Sequence, residues 1–236
     1  MGAQADLRMI IATPPTSGER QVSIPAGPES LPGTLAWPAH PSGIVLFAHG
    51  GGSGRLSPRN LTVARQLRRA GLATLLFDLL TEVEAEERDN LVDIDLLADR
   101  LRLATEWMVR QPEADGLELG YFGVSTGAAA ALKAAACSGI SIRALVSRGG
   151  RPDLAKCDLA RVTSATLLLV GERDRDVLEL NRQAFRRLRC SKQLVVIPGT
   201  GHLFEEPGAL GDVGEWAAEW FVHHLAMERT WQAARA

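Results

Sequence analysis

The stretch Leu117-Glu118-Leu119-Gly120-Tyr121-Phe122-Gly123-Val124-Ser125-Thr126-Gly127, running straight into Ala128-Ala129-Ala130-Ala131, decides how this chain is read. Its first half is a nearly continuous apolar run of strand length, the pattern of a strand buried on both faces. The alanine-rich half that follows, to Ala136, suits a helix packed against a sheet. Between them stands Gly123-Val124-Ser125-Thr126-Gly127. A serine on so short a strand-to-helix turn takes a strained backbone, which lifts its hydroxyl above the sheet. Gly123 and Gly127 leave room where side chains would collide, and the helix N-terminus favours negative charge developing nearby. About 0.1 such pentads are expected by chance in a chain of this composition, so the strand–turn–helix setting carries more weight than the string. Ser125 is the candidate nucleophile.

The same alternation extends in both directions. Ile44–Ala48, Leu72–Leu80, Ile142–Val146, Ala165–Val170 and Gln193–Ile197 are apolar runs of strand length. Helical stripes fall between them: Leu61, Ala64 and Leu67, stopped by Gly71; Ile94, Leu97, Leu101, Ala104 and Met108; Val177, Leu180, Ala184 and Leu188; and Val213, Trp216, Trp220 and Phe221. Gly139 is expected to close the alanine-rich helix. Ahead of these, Gln21–Ile24 and Gly33–Trp37 read as short antiparallel edge strands separated by Pro25, Gly27, Pro28, Pro32 and Pro38. Strands alternating with helices in chain order predict an α/β fold, a mostly parallel sheet of about eight strands with helices on both faces. One domain is expected over 21–225, with an N-terminal extension at 1–20 and a C-terminal tail at 226–236. The acidic segment Glu82–Asp93 reads as a solvated loop or helix start, with a substrate-facing lid as the competing reading.

Two strand ends carry further chemistry. The run ending at Val170 leads into Gly171-Glu172-Arg173-Asp174, which sets Asp174 at the edge where α/β sheets place their ligands. Asp176, two residues on, precedes Val177 and has Glu179 three residues later, a helix-capping pattern. Asp174 is therefore taken as the functional acid and Asp176 as the cap. The run ending at Ile197 leads into Pro198-Gly199-Thr200-Gly201-His202, and its glycines allow the loop to bring an imidazole back over the sheet. Serine, aspartate and histidine then follow in the chain order of a nucleophile-elbow triad. His49 reads as structural, and His40, His223 and His224 as surface residues.

An oxyanion hole needs two backbone N–H groups. One is expected from Thr126, directly after the nucleophile. The other is expected from His49-Gly50-Gly51-Gly52-Ser53-Gly54, with Gly51 as the first choice and Gly52 the second. This loop lacks the Lys-Ser/Thr of a phosphate-binding P-loop and the spacing of a dinucleotide fingerprint.

Taken together, the His49–Gly54 loop, the Ser125 elbow, the Gly171–Asp174 turn and the Thr200–Leu203 turn resemble an α/β-hydrolase. Short length and the lack of room for a cap make the dienelactone hydrolase-like branch the nearest resemblance, over about residues 20–225. The resemblance implies a lidless fold and a carboxylic-ester or lactone hydrolase with Ser125, Asp174 and His202 as triad. Dienelactone hydrolase itself carries cysteine at the nucleophile position; serine here implies a serine esterase. No metal or organic cofactor is implied. A peptidase, a C–C bond hydrolase, an acyltransferase and a ligand-binding relative with little turnover use the same constellation, and the sequence leaves them open.

Composition narrows the partners. The chain has 236 residues, with 26 Lys and Arg against 28 Asp and Glu, a net charge of −2. That balance argues against nucleic acid, which requires a basic excess or stripe. No run approaches the 18 or more apolar residues of a membrane span. Cys137, Cys157 and Cys190 are too few and too scattered for a disulfide framework, and a reducing cytoplasm is the expected compartment. After the strand Ile142–Val146 come Arg148 and Arg151, read either as a surface ion pair with Asp153 or as recognition of an anionic substrate group. A small-molecule ester or lactone is the expected ligand.

Overall fold

The structure, a computed structural model, describes residues 17–51 and 53–226. Most of the expected N-terminal extension and C-terminal tail, and Gly52, lie outside the described residues. Among the described residues eight strands form one open sheet: β1 (Gly18–Ala26), β2 (Glu29–Trp37), β3 (Ile44–Ala48), β4 (Ala73–Phe77), β5 (Leu119–Val124), β6 (Ile142–Arg148), β7 (Ala165–Gly171) and β8 (Lys192–Ile197). They lie in the order β1-β2-β4-β3-β5-β6-β7-β8. The β1–β2 hairpin and the β2–β4 pairing are antiparallel, and every pairing from β4 to β8 is parallel.

The helices are α1 (Pro58–Arg69), α2 (Glu82–Glu86), α3 (Ile94–Met108), α4 (Thr126–Cys137), α5 (Arg175–Arg187) and α6 (Ala209–Leu225). Alternate side chains of the central strands feed two apolar layers. Leu46, Leu75, Tyr121 and Leu145 pack with α3 and α4, while Val45, Phe47, Phe122 and Val146 pack with α1 and α6. Glycines let α6 approach the sheet: a Cβ on Gly120 would lie 2.7 Å from Cε1 of Phe221, and one on Gly43 would lie 2.7 Å from Cβ of Leu225.

Several boundaries differ from the sequence reading. β1 and β2 are longer than expected and contain Pro25 and Pro32. Both positions tolerate a missing N–H: β1 is the sheet edge, and β2 pairs with β4 only from Gly33 onward. Gly71, at φ +87°, does close α1, whereas α4 ends on extended Ser138 and Gly139 takes no left-handed conformation. β6 continues two residues past its apolar run, to Arg148. Among the described residues no helix is long and apolar enough to cross a membrane.

Candidate active site

The C-terminal ends of β3, β5, β6, β7 and β8 converge on one edge, and the candidate residues sit on the turns that leave them. Ser125 links β5 to α4 with φ 51° and ψ −120°. Among the described residues it shares positive φ, for a residue other than glycine, only with Phe204. Such strain is held only where the surroundings over-determine it. The motif glycines do that here. A Cβ on Gly123 would lie 2.5 Å from Cα of Ala128, and one on Gly127 would lie 2.2 Å from the carbonyl oxygen of Ala48. The elbow is thus clamped between its own helix and the end of β3.

Asp174 and His202 meet. Oδ2 of Asp174 lies 2.6 Å from Nδ1 of His202. The aspartate side chain is mostly buried and the imidazole is 40 % exposed. Three contacts between the ends of β7 and β8 set the pair. A Cβ on Gly171 would lie 2.4 Å from the carbonyl oxygen of Thr200, so the ends of β7 and β8 are in close backbone contact. The N–H of Arg173 donates to Thr200 O at 2.9 Å, and Oε2 of Glu172 accepts from the N–H of Gly199 at 2.7 Å. Asp174 itself occupies the N-cap position of α5, but its side chain makes no capping bond. The assignment of Asp176 as the cap is therefore corrected: it lies in the first turn of α5. An acid at either position fits the same pattern, and the register of the helix decides between them.

The turn after β6 joins the two halves of the site. The N–H of Ser125 donates to Arg148 O at 3.3 Å, and the N–H of Arg151 donates to Ser125 O at 3.1 Å. Gly149, at φ +53°, faces His202; a Cβ there would lie 3.6 Å from Cε1 of the imidazole and 3.3 Å from Cε2 of Phe204. Ser125 and His202 thus flank one short turn.

The glycine loop lies against the elbow, with the hypothetical Cβ of Gly50 3.0 Å from Cβ of Ser125. Thr126 begins α4, where an N–H has no intrahelical acceptor. Gly51 differs from expectation, because its N–H is engaged by Oγ1 of Thr126 at 3.0 Å. That hydroxyl competes for the donor chosen from sequence. Gly52, the second choice, lies outside the described residues. Leu91 O would lie 2.8 Å from a Cβ on Gly51, so the acidic Glu82–Asp93 segment packs beside the loop through its apolar end. Its start is a helix with a capping box between Thr81 and Glu84, and Glu84 also pairs with Arg100.

His49 is structural. Its Nε2 accepts the N–H of Leu79 at 3.0 Å, which puts the ring proton on Nδ1, 3.1 Å from Gly50 O. Burial holds its pKa below the usual histidine value. His40 and His223 are exposed, and His224 is half-buried beside Trp220. The sequence reading overlooked Asp78. It follows β4 as Asp174 follows β7, and it anchors the far end of the glycine loop by accepting the N–H of Arg55 at 2.8 Å.

The two arginines separate. Nε and Nη2 of Arg151 hold the carboxylate of Asp153 at 2.9 and 2.8 Å, the ion pair that was one of its two expected roles. Arg148 is 5 % exposed and lies under Phe204, with Cζ 5.8 Å from the ring centroid. Burial and the charge of Arg59 push its pKa down to about 10. An ion pair of Arg148 with Asp153 does not form, because the side chain turns inward from the end of β6 rather than outward.

No family model matches the chain. A dienelactone hydrolase from Anabaena variabilis is 51 % identical, with a TM-score of 0.86 over 89 % of this chain and 99 % of that one. The chain belongs to the dienelactone hydrolase family of the α/β-hydrolases. Est1E from Butyrivibrio proteoclasticus shares the fold at 16 % identity, with a TM-score of 0.75 over 86 % of this chain and 98 % of that one. Two strains of Mycobacterium tuberculosis hold relatives 53 % identical over 214 residues, 91 % of this chain. Their name, phosphoribosyl transferase, is provisional, and the chain spans about half their length, 48 %.

Proposed function

We propose that this domain is a serine esterase acting on carboxylic esters or lactones, with Ser125, His202 and Asp174 as its triad. The observation that carries the reading is the 2.6 Å contact of Asp174 with His202 Nδ1, across the turn after β6 from a serine held at positive φ. In this mechanism His202 takes the proton of Ser125 as its Oγ attacks the acyl carbon. Asp174 fixes the tautomer and stabilises the imidazolium. The tetrahedral oxyanion is held by the N–H of Thr126 together with a donor from the glycine loop. Collapse breaks the bond to the leaving alcohol, which receives the proton from His202. Water, deprotonated by His202, then releases the acid and restores Ser125.

An uncharged ester suits the rim better than an anionic one. Arg151 is occupied by Asp153 and Arg148 is buried. Leu56, Val83, Val92, Leu154 and Leu203, five of the eight large exposed apolar residues among those described, lie on connections leaving this edge of the sheet. The test is a serine-directed fluorophosphonate with peptide mapping, alongside turnover of an aryl acetate and a peptide. Label on Ser125 with ester turnover is expected. Label elsewhere, or peptide cleavage in preference to ester, would reject the reading. Ser147 is fully buried and is no competing target.

A further inference from the structure

Arg148 is a buried charge whose one described side-chain contact of note is the ring of Phe204. Among the described residues its guanidinium meets no carboxylate and makes no hydrogen bond, and Nη1 is closed off from solvent without a partner. The charge that acts on it, Arg59, carries the same sign. Arg59 is itself committed, with Nη1 2.7 Å from Oε1 of Glu205. Removing an unpaired cation from water is strongly unfavourable, and an apolar side chain of similar volume is often the more stable occupant. Arg148 nevertheless remains charged at neutral pH, with its pKa lowered only to about 10.

The ring it supports is Phe204, two residues after His202. Phe204 is fully buried and held at φ +57°. The segment from Gly201 to Glu206 is otherwise tied by Gly201 N–H to Glu206 Oε1 at 2.9 Å and by the Glu205–Arg59 pair. On the other side, Arg148 O receives the N–H of Ser125. One residue thus touches the nucleophile's turn through its backbone and the histidine's loop through its side chain.

We infer that Arg148 is a positioning residue that clamps the His202 loop through Phe204, retained at the expense of stability. This rests on the triad proposed above. The cation attracts the ring face and is worth most where water is excluded. Through that contact it keeps Phe204 in its left-handed conformation and the imidazole over Ser125. A misplacement of about 1 Å in such a constellation can lower turnover about 100-fold.

The experiment compares wild type, Arg148→Met, Arg148→Lys, Phe204→Leu and the Arg148→Met/Phe204→Leu double variant in the full chain. Thermal midpoint, kcat and KM on an aryl acetate are measured for each. Arg148→Met is expected to melt at or above wild type, by up to about 6 °C, since it removes an uncompensated charge. Its kcat is expected to fall about 10- to 100-fold with KM within about twofold. Arg148→Lys keeps a cation under the ring and recovers most of that loss. Phe204→Leu reproduces the fall in kcat, and the double variant is no worse than the poorer single, because the two act as a unit. Wild-type kcat in Arg148→Met overturns the inference. So does a lower midpoint matched by the lost activity, which makes the arginine an ordinary structural residue. Undiminished kcat in Phe204→Leu also overturns it, since the charge would then act directly. Should Arg148→Met not fold, that too shows the charge to be structural and overturns the inference. If wild type neither hydrolyses esters nor labels at Ser125, the proposed function fails and this inference falls with it.

Discussion

Asp174 stands at the N-cap of α5 and leaves the helix uncapped, its carboxylate turned instead to Nδ1 of His202 at 2.6 Å. An N-cap aspartate contributes about 1 kcal/mol when it bonds its helix. Here that contribution is forgone for an imidazole on another strand's loop. Asp174→Asn is expected to lower kcat by up to about 10⁴-fold by favouring the wrong tautomer. Asp176→Asn loses only a charge in the first turn of α5, about 0.3–1 kcal/mol of stability, and keeps its activity. Steady-state kinetics and thermal melts on the two variants check this; a reversed outcome would move the acid to Asp176.

The strain at Ser125 separates activity from stability. Ser125→Ala removes the hydroxyl and keeps a Cβ at φ +51°, so the proposed esterase activity is expected to vanish with the melting temperature little changed. Ser125→Gly is equally inactive but relieves strain of order 1–3 kcal/mol, partly offset by the greater freedom of glycine in the unfolded chain. It is expected to melt at least as high as Ser125→Ala. Glycine melting lower than alanine would show that the turn is not strained.

The apolar rim predicts a preference by chain length. Each methylene buried in the complex adds up to about fourfold in kcat/KM, from about 0.8 kcal/mol at full burial. Aryl esters from acetate to hexanoate are expected to improve stepwise. Leu154→Ser and Leu203→Ser are expected to flatten the series while leaving acetate within about threefold. A series in which a monoester of a diacid outperforms its neutral analogue would restore an anionic substrate.

His49 makes folding sensitive to acid. Its folded-state pKa lies below the ordinary value of 6.5 because burial disfavours the cation. The unfolded chain therefore binds the proton first as pH falls. The stabilisation is complete above about pH 6.5 and is lost progressively below it, since stability rises with pH wherever the unfolded state holds more protons. His224, lowered by burial and by His223, adds in the same direction. Urea midpoints at pH 7.5 and 5.5 are expected to differ, and the difference is expected to shrink in His49→Gln. A flat profile in wild type would contradict the buried neutral imidazole.

The positions of Ser125, Asp174 and His202 were legible because strand ends are legible: an apolar run buried on both faces stops where the backbone leaves the sheet. The glycines beside them were legible for the same reason, since backbone contacts as close as Gly127 to Ala48 exclude any other residue. Hydrogen-bond competition was not legible. Nothing in the order of residues says that Oγ1 of Thr126 reaches the N–H of Gly51. Arg148 was read as a surface ion pair or a contact to an anionic substrate, because charge near a strand end is usually solvated, and the extra two residues of β6 carry it beneath Phe204 instead. Asp78 was passed over because Leu72–Leu80 reads as one strand, whereas β4 ends at Phe77 and leaves the aspartate on the turn.

The seating of Phe221 over Gly120 has a consequence for how the chain is made. β5 leaves the ribosome roughly a hundred residues before the ring that covers it, an interval of about 5–20 s at ordinary translation speeds. Over that interval the nascent domain can hold its strands and α1, but the face awaiting α6 stays bare. The elbow, the acid and the histidine have all been synthesised by then, on a sheet still missing its last layer. Covering of this face is therefore timed by α6, and ribosomes stalled between Leu203 and Phe221 are expected to carry chains that hydrophobic chaperones recognise.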